Sequence, residues 1–184
     1  MNNIRKTPLF LIFIFLFSSC IKHVDFEQIE DLTAEPVFKS SLVYFTLNQI
    51  TFFDRINSIE IITPINRTSS FLSLNSSFVK ENLQEVEIEF EIQNEFDRDF
   101  TVNFQFLDAN NVVTHQLQTF NITANNLKYE QKEKIIVSSN TAFLSSTKIR
   151  VSVQLSQNNN GAVINPNIDK KLVFKTAGTF FLKI

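Results

Sequence analysis

Glu85-Val-Glu-Ile-Glu-Phe-Glu-Ile-Gln93 alternates without a break: Val86, Ile88, Phe90 and Ile92 take one parity, and Glu85, Glu87, Glu89 and Glu91 the other. Successive side chains of an extended chain point to opposite faces, so this stretch is a strand with one face buried and one in water. A helix would scatter the same residues around its circumference. The pattern continues outward. Phe100, Val102, Phe104 and Phe106 alternate with Thr101, Asn103 and Gln105, and Asp108-Ala-Asn-Asn111 then reads as a turn. Val112 to Ile122 predicts a third strand, Tyr129 to Val137 a fourth, and Ile149 to Leu155 a fifth. Ser139 to Ser146 reads as a capped helical turn. Leu172 to Lys175 and Thr179 to Ile184 are closing strands, broken near Gly178. Upstream, Val37 to Leu47 is a long strand, Ser58 to Thr63 and Ser70 to Leu74 are weaker ones, and Asn48 to Asn57 suits a short helix. Strands at roughly 10–15-residue spacing, with no long amphipathic helix between them, predict an all-β fold. The expected architecture is an antiparallel two-sheet β-sandwich, immunoglobulin-like or similar, with short helical turns, over residues 36–184.

The N-terminus reads differently. Arg5 and Lys6 precede the apolar run Leu9 to Phe17, and Ser18-Ser19-Cys20 closes it with small residues. A nine-residue helix is about 14 Å long, half of a bilayer core, so the segment has the shape of a secretory signal rather than a membrane span. Cys20 is the chain's single cysteine, so it has no internal disulfide partner. Phe17-Ser18-Ser19-Cys20 resembles a bacterial lipobox, with Phe17 where that pattern prefers Leu. The resemblance implies cleavage before Cys20 and a diacylglycerol on its thiol; an ordinary secreted protein and a retained signal anchor are the competing readings. Residues 20–35 follow as an acidic tether or a short helix, with Lys22, Asp25 and Glu27 loosely similar to a surface-export signal. Val24-Asp25-Phe26 and Pro36 leading into a long strand resemble small uncharacterised flavobacterial lipoproteins, a family with no activity to carry over. Residues 85–115 are similar to strand pairs of the water-stress and late-embryogenesis-abundant type 2 β-sandwich family, which implies fold and not function.

Composition narrows the function. Cutting 19 of 184 residues leaves 165, and removing Arg5 and Lys6 leaves 15 basic against 19 acidic residues, a net charge of -4. Such a chain offers no electrostatic case for nucleic acid. With 21 Phe but two Tyr and no Trp, it has few of the rings on which sugar platforms are usually built. With two glycines, neither a phosphate loop nor a dinucleotide fingerprint can be written.

The candidate chemistry is sparse. Glutamates two apart on one strand face sit about 6.5–7 Å apart, within the carboxyl separation of inverting glycosidases. Four in a row read more simply as a solvated face, relieved by Lys128, Lys132 and Lys134, or by Lys148 and Arg150, on neighbouring strands. Asp97 and Asp99, with Asp108, are the candidate calcium ligands, although the loop lacks the glycine of a calcium-binding turn. His115 shares parity with Val113 and Leu117 and reads as a half-buried strand residue, and no Gly-x-Ser-x-Gly elbow exists. No catalytic residue and no cofactor are assigned. The expectation is a non-enzymatic interaction or accessory protein of the bacterial envelope. Acylated Cys20 would hold it at the outer membrane, facing either side, with an envelope protein as partner. A module binding lipid or glycan is the alternative, and a small envelope hydrolase the third.

Overall fold

The computed structural model describes residues 34–156 and 163–184, so the signal segment, Cys20, His23 and most of the tether lie outside the described residues. Glu35–Ile184 forms one compact unit. Its strands are β1 (Val37–Asn48), β2 (Phe53–Asp54), β3 (Ile59–Glu60), β4 (Ile65–Ser70), β5 (Leu83–Asn94), β6 (Phe100–Leu107), β7 (Val113–Gln116), β8 (Phe120–Ile122), β9 (Tyr129–Ile136), β10 (Lys148–Leu155) and β11 (Lys171–Leu182). One short helix, α1 (Ser77–Asn82), precedes β5. β1-β11-β5-β9 make the first sheet, and β4-β10-β6 with β7 and β8 make the second; β2 and β3 form a small hairpin. Every pairing is antiparallel. The fold is an all-β sandwich, as the alternation predicts. Among the described residues no helix is long and apolar enough to cross a membrane.

The apolar parity of each strand faces the opposing sheet. Val86, Ile88, Phe90 and Ile92 of β5 meet Phe100, Val102, Phe104 and Phe106 of β6, all buried. Phe90 sits at the centre, with Phe120 at 4.6 Å, Phe104 at 5.3 Å and Phe174 at 6.2 Å between ring centroids. Phenylalanine also plugs both ends. Phe52, Phe96 and Phe100 close one end, and Phe71, Phe106 and Phe143 the other. The wealth of Phe therefore has a packing role: at least nine of these rings are fully buried. β1 runs from the second end, where the chain enters the domain, to the first.

Several strand boundaries differ from the sequence reading. β11 is continuous through Gly178, which is paired with Ser40 on one side and Ile88 on the other. A Cβ there would lie 3.0 Å from the Phe180 ring and 3.2 Å from Leu42, so the glycine makes room for its neighbours rather than breaking the strand. The expected strand from Val112 to Ile122 is split. Gln116 pairs with Gln105 and Phe120 with Val102, so three residues face two, and the extra one bulges. Ser70 to Leu74 leaves the sheet after Ser70, because Phe71 and Leu74 turn in to plug the core. Asn48 to Asn57 is a 3-10 turn (Gln49–Thr51) followed by β2, not a helix. Ser58 to Thr63 contributes only the two residues of β3. The turn near Ser139 to Ser146 is 3-10 and has no side-chain cap.

Candidate functional site

Two places on the domain concentrate polar chemistry. The first is the outer face of the first sheet. Glu85, Glu87, Glu89 and Glu91 project from β5, and lysines reach them from both neighbouring strands and from β1. Lys132 donates to Glu87 at 2.8 Å and Glu89 at 2.7 Å, Lys134 to Glu85 at 2.7 Å, and Lys175 to Glu91 at 2.9 Å. Lys39 of β1 also pairs with Glu89. Hydrogen bonds from Lys132 and then Lys39 hold the Glu89 carboxyl below its ordinary range, and the glutamates push the lysines up. A row of ion-paired carboxylates in water is a charged surface, each pair worth little by itself. Lys148 and Arg150 belong to the other sheet. Lys148 caps the turn after β6 through Ala109 O and Asn111 Oδ1, at 3.0 and 2.9 Å.

The second place is the end closed by Phe52, Phe96 and Phe100. The loop between β5 and β6 is shaped by buried Asn94. Its Nδ2 donates to Arg98 O and Thr123 O, both at 2.8 Å, and its Oδ1 accepts the Phe96 N–H at 3.0 Å. This turns the Arg98 side chain inward, where it is only 7% exposed. Its Nη1 donates to both oxygens of Glu60 at 2.7 Å, and its Nη2 to Ser156 O at 3.1 Å. Glu60 Oε1 also accepts the Ile164 N–H at 2.7 Å. One ion pair thus ties the β2–β3 hairpin, the β5–β6 loop, the end of β10 and the segment before β11 together. Arg55 adds a bond to Pro166 O at 2.8 Å. Beside this pair lies a cavity of about 260 Å³. Phe96, Val163, Ile164 and Ile168 are its apolar lining residues, and Gln49, Arg98 and Asn165 are among the polar ones. Arg98 Nε and Gln49 Oε1 are both buried without a hydrogen-bond partner. Asp97 and Lys170, also lining it, pair with each other, and Lys170 holds the Asp97 carboxyl below its usual range with help from Asn125.

The calcium candidates are dispersed. Asp97 pairs with Lys170, and Asp99 Oδ1 accepts the Ala124 N–H at 2.7 Å. Asp108 lies at the far end of β6 and caps its own turn through Asn110 N–H and Val112 N–H, both at 2.8 Å. No three His, Cys, Asp or Glu side chains converge among the described residues. His115 is half-buried between Phe106 and Phe143, and that burial pushes its pKa down. The sequence alone does not mark Glu60 or Gln49. Glu60 stands 38 positions before Arg98, and no local spacing announces their pairing. An arginine inside an otherwise acidic loop was the one local sign.

Comparison with known proteins leaves the lineage open. No family model matches the chain, and no curated protein matches it. Among solved structures it is similar to a protein of Parabacteroides distasonis described as secreted, at 16% identity and a TM-score of 0.48, over 65% of this chain and 40% of that one. It is also similar to the enzymatically active domain of tailspike protein 4 from bacteriophage CBA120, at 10% identity and a TM-score of 0.41, over 79% and 19% of the two chains. A third likeness is to the VP2 subviral particle of infectious bursal disease virus, at 6% identity and a TM-score of 0.39, over 80% and 32%. This chain spans less than half of each of those chains. At such scores the sandwich assignment rests on the strand pairing itself.

Proposed function

We propose that this chain is a lipid-anchored envelope protein, held through acylated Cys20 at the outer membrane of a Bacteroidota-type cell, and that it works by contact rather than catalysis. The observation that carries the contact reading is the apolar surface around the Arg98 end. Ile56 is 94% exposed, and Ile59, Ile62, Val163 and Ile168 are exposed with it. The Arg55–Pro166 and Ile164–Glu60 bonds hold the two loops that bear these residues side by side. Exposed apolar residues grouped on rigid loops mark interaction surfaces.

The anchor and the contact are tested separately. Intact mass spectrometry of membrane-extracted protein is expected to show a mature chain starting at an acylated Cys20; an unmodified Met1 rules the anchor out. In a deletion strain, Cys20→Ser and Ile56→Asp/Ile59→Asp are each expected to lose complementation, the first with the protein released from the membrane and the second with it in place. His115→Ala is expected to complement. If a purified wild-type domain turns over a glycoside, ester or peptide and Glu87→Gln/Glu89→Gln/Glu91→Gln does not, the contact reading fails.

A further inference from the structure

We infer that the open edge of β1 binds a second copy of this chain, strand against strand, over residues 43–48. The inference stands on strand pairing, and on neither the exposed isoleucines nor the anchor. β1 ends the first sheet, with β11 on one side and, among the described residues, no strand on the other. An open edge presents unpaired backbone donors and acceptors to any extended chain, so sheets guard their edges. The other edges of the sandwich are guarded. β9 carries Lys132 and Lys134 and sets Glu133 opposite inward-facing Ile88. β4 is six residues long with Arg67 exposed, and β7 and β8 are short and broken by a bulge. β1 is guarded only in its first half, by Lys39 and by the bulge at Leu42. Val43-Tyr-Phe-Thr-Leu-Asn48 has no charge, proline or glycine and is rich in strand-forming residues.

This half of β1 is complementary to itself. Val43, Phe45 and Leu47 take its core side, and Tyr44 and Thr46 its exposed side. Phe45 is stacked on Phe174 at 5.0 Å yet only half-buried, so part of its ring is open at the edge. An antiparallel pairing with a two-fold axis at Phe45 sets that ring against its own copy, Val43 against Leu47, and Tyr44 against Thr46. Core sides then meet core sides, which a shift of one residue would undo. An axis at Thr46 would leave Val43 outside the ladder, and one at Tyr44 would draw the Leu42 bulge into it. Tyr against Thr is a favourable aromatic and β-branched cross-strand pair, made twice by the symmetry. With no charge in the stretch, two copies meet without repulsion. The pairing also closes on itself. Two four-stranded sheets become one whose ends are both β9, the guarded edge, so no third copy can add.

The test is analytical ultracentrifugation of the mature chain in density-matched detergent micelles, over a concentration series. Wild type is expected to sediment as a dimer in equilibrium with monomer. Tyr44→Glu/Thr46→Glu sets like charges opposite each other at two symmetry-related places and should weaken the dimer by about tenfold or more. Tyr44→Glu/Thr46→Lys sets opposite charges at the same places and should restore it. Tyr44 and Thr46 are both exposed, so melting curves of the two variants should match wild type. A second measurement reads the register without added charge. Tyr44→Cys and Thr46→Cys chains, co-expressed and oxidised in native membranes, are expected to form a disulfide-linked pair, because directly opposite Cβ atoms lie about 4.5–5.5 Å apart. Lys39→Cys alone, beyond the bulge, is expected to stay unlinked. A wild-type chain that remains monomeric across the series overturns the inference. So does a dimer that Tyr44→Glu/Thr46→Glu leaves intact, that Tyr44→Glu/Thr46→Lys fails to restore, or that links through Lys39→Cys rather than between positions 44 and 46.

Discussion

Replacing Phe90 by alanine tests the sandwich at its centre. The ring is 2% exposed and stands on β5, where it meets Phe120 of β8 and Phe104 of β6 from one sheet and Phe174 of β11 from its own. Truncating a buried phenylalanine costs about 3–5 kcal/mol through lost transfer energy and the cavity left behind. Aromatic pairs are worth about 0.5–1.5 kcal/mol beyond their area, and three rings converge here, so the expected loss is in the upper part of that range, about 4–5 kcal/mol. For a chain of this size a loss of 1 kcal/mol lowers Tm by about 2–4 °C, which makes the expected drop about 8–20 °C. Without a tryptophan, unfolding is best followed by far-ultraviolet circular dichroism, on the chain from residue 21. Phe78→Ala is the matched control: its ring stands on α1 and is 49% exposed, so its removal should stay within about 0.5 kcal/mol. A loss below about 2 kcal/mol for Phe90→Ala, or equal losses for the two substitutions, would refute the packing argument.

Three further outcomes are expected. Glu60→Gln leaves the Arg98 guanidinium buried without its counterion and should cost about 3–5 kcal/mol in chemical denaturation, while Glu60→Leu/Arg98→Met should recover most of it; a double variant no better than the single would show that the pair is not what holds this end. Gly178→Ala forces a methyl against the Phe180 ring, which is itself stacked on Phe38, and should cost about 1–3 kcal/mol; a neutral result would mean that the Phe180 ring can yield. Glu133 lies opposite Ile88 on edge strand β9, and burial raises its pKa above the ordinary 4.5. The folded state therefore holds this proton more tightly than the unfolded chain, and stability gained by protonation appears as pH falls from neutral through the folded pKa, complete once pH is below the unfolded value. Glu133→Gln should accordingly raise Tm at pH 7 and match wild type near pH 3; a lower Tm at pH 7 would reverse the sign of the argument.

Glu133 also helps to explain how the sheet ends. It turns a carboxylate inward on β9, an edge of the first sheet, where Lys132 and Lys134 stand on the same strand and Lys128 just before it. Inward charges and lysines on an edge discourage pairing with another chain. Read as sequence, Glu133 is only one more polar residue of a strand.

By itself the sequence determined the class of fold and the assignment of faces. Period-two alternation is a local property, set by the pleat of each strand, so Val86, Ile88, Phe90 and Ile92 could be placed inside and the glutamates outside with no knowledge of their neighbours. The turn at Asp108 to Asn111 was legible for the same reason: Asp108 bonds the backbone a few residues on, and Asn111 takes the positive φ of 67° that asparagine tolerates. What only the tertiary structure decided is everything that depends on pairing across long separations. Gly178 reads as a break until Phe180 and Leu42 are seen to occupy the space of its missing side chain. The sequence offers Lys132 and Lys134 as partners of the glutamate row, but only strand pairing adds Lys39 of β1 and Lys175 of β11 and sends Lys148 to the turn after β6. Glu60 and Arg98 carry no mutual signal along the chain, because their attraction exists only once the hairpin and the β5–β6 loop have been folded to the same end of the sandwich. The cavity beside them is set by how the loops pack over that end, which no periodicity records.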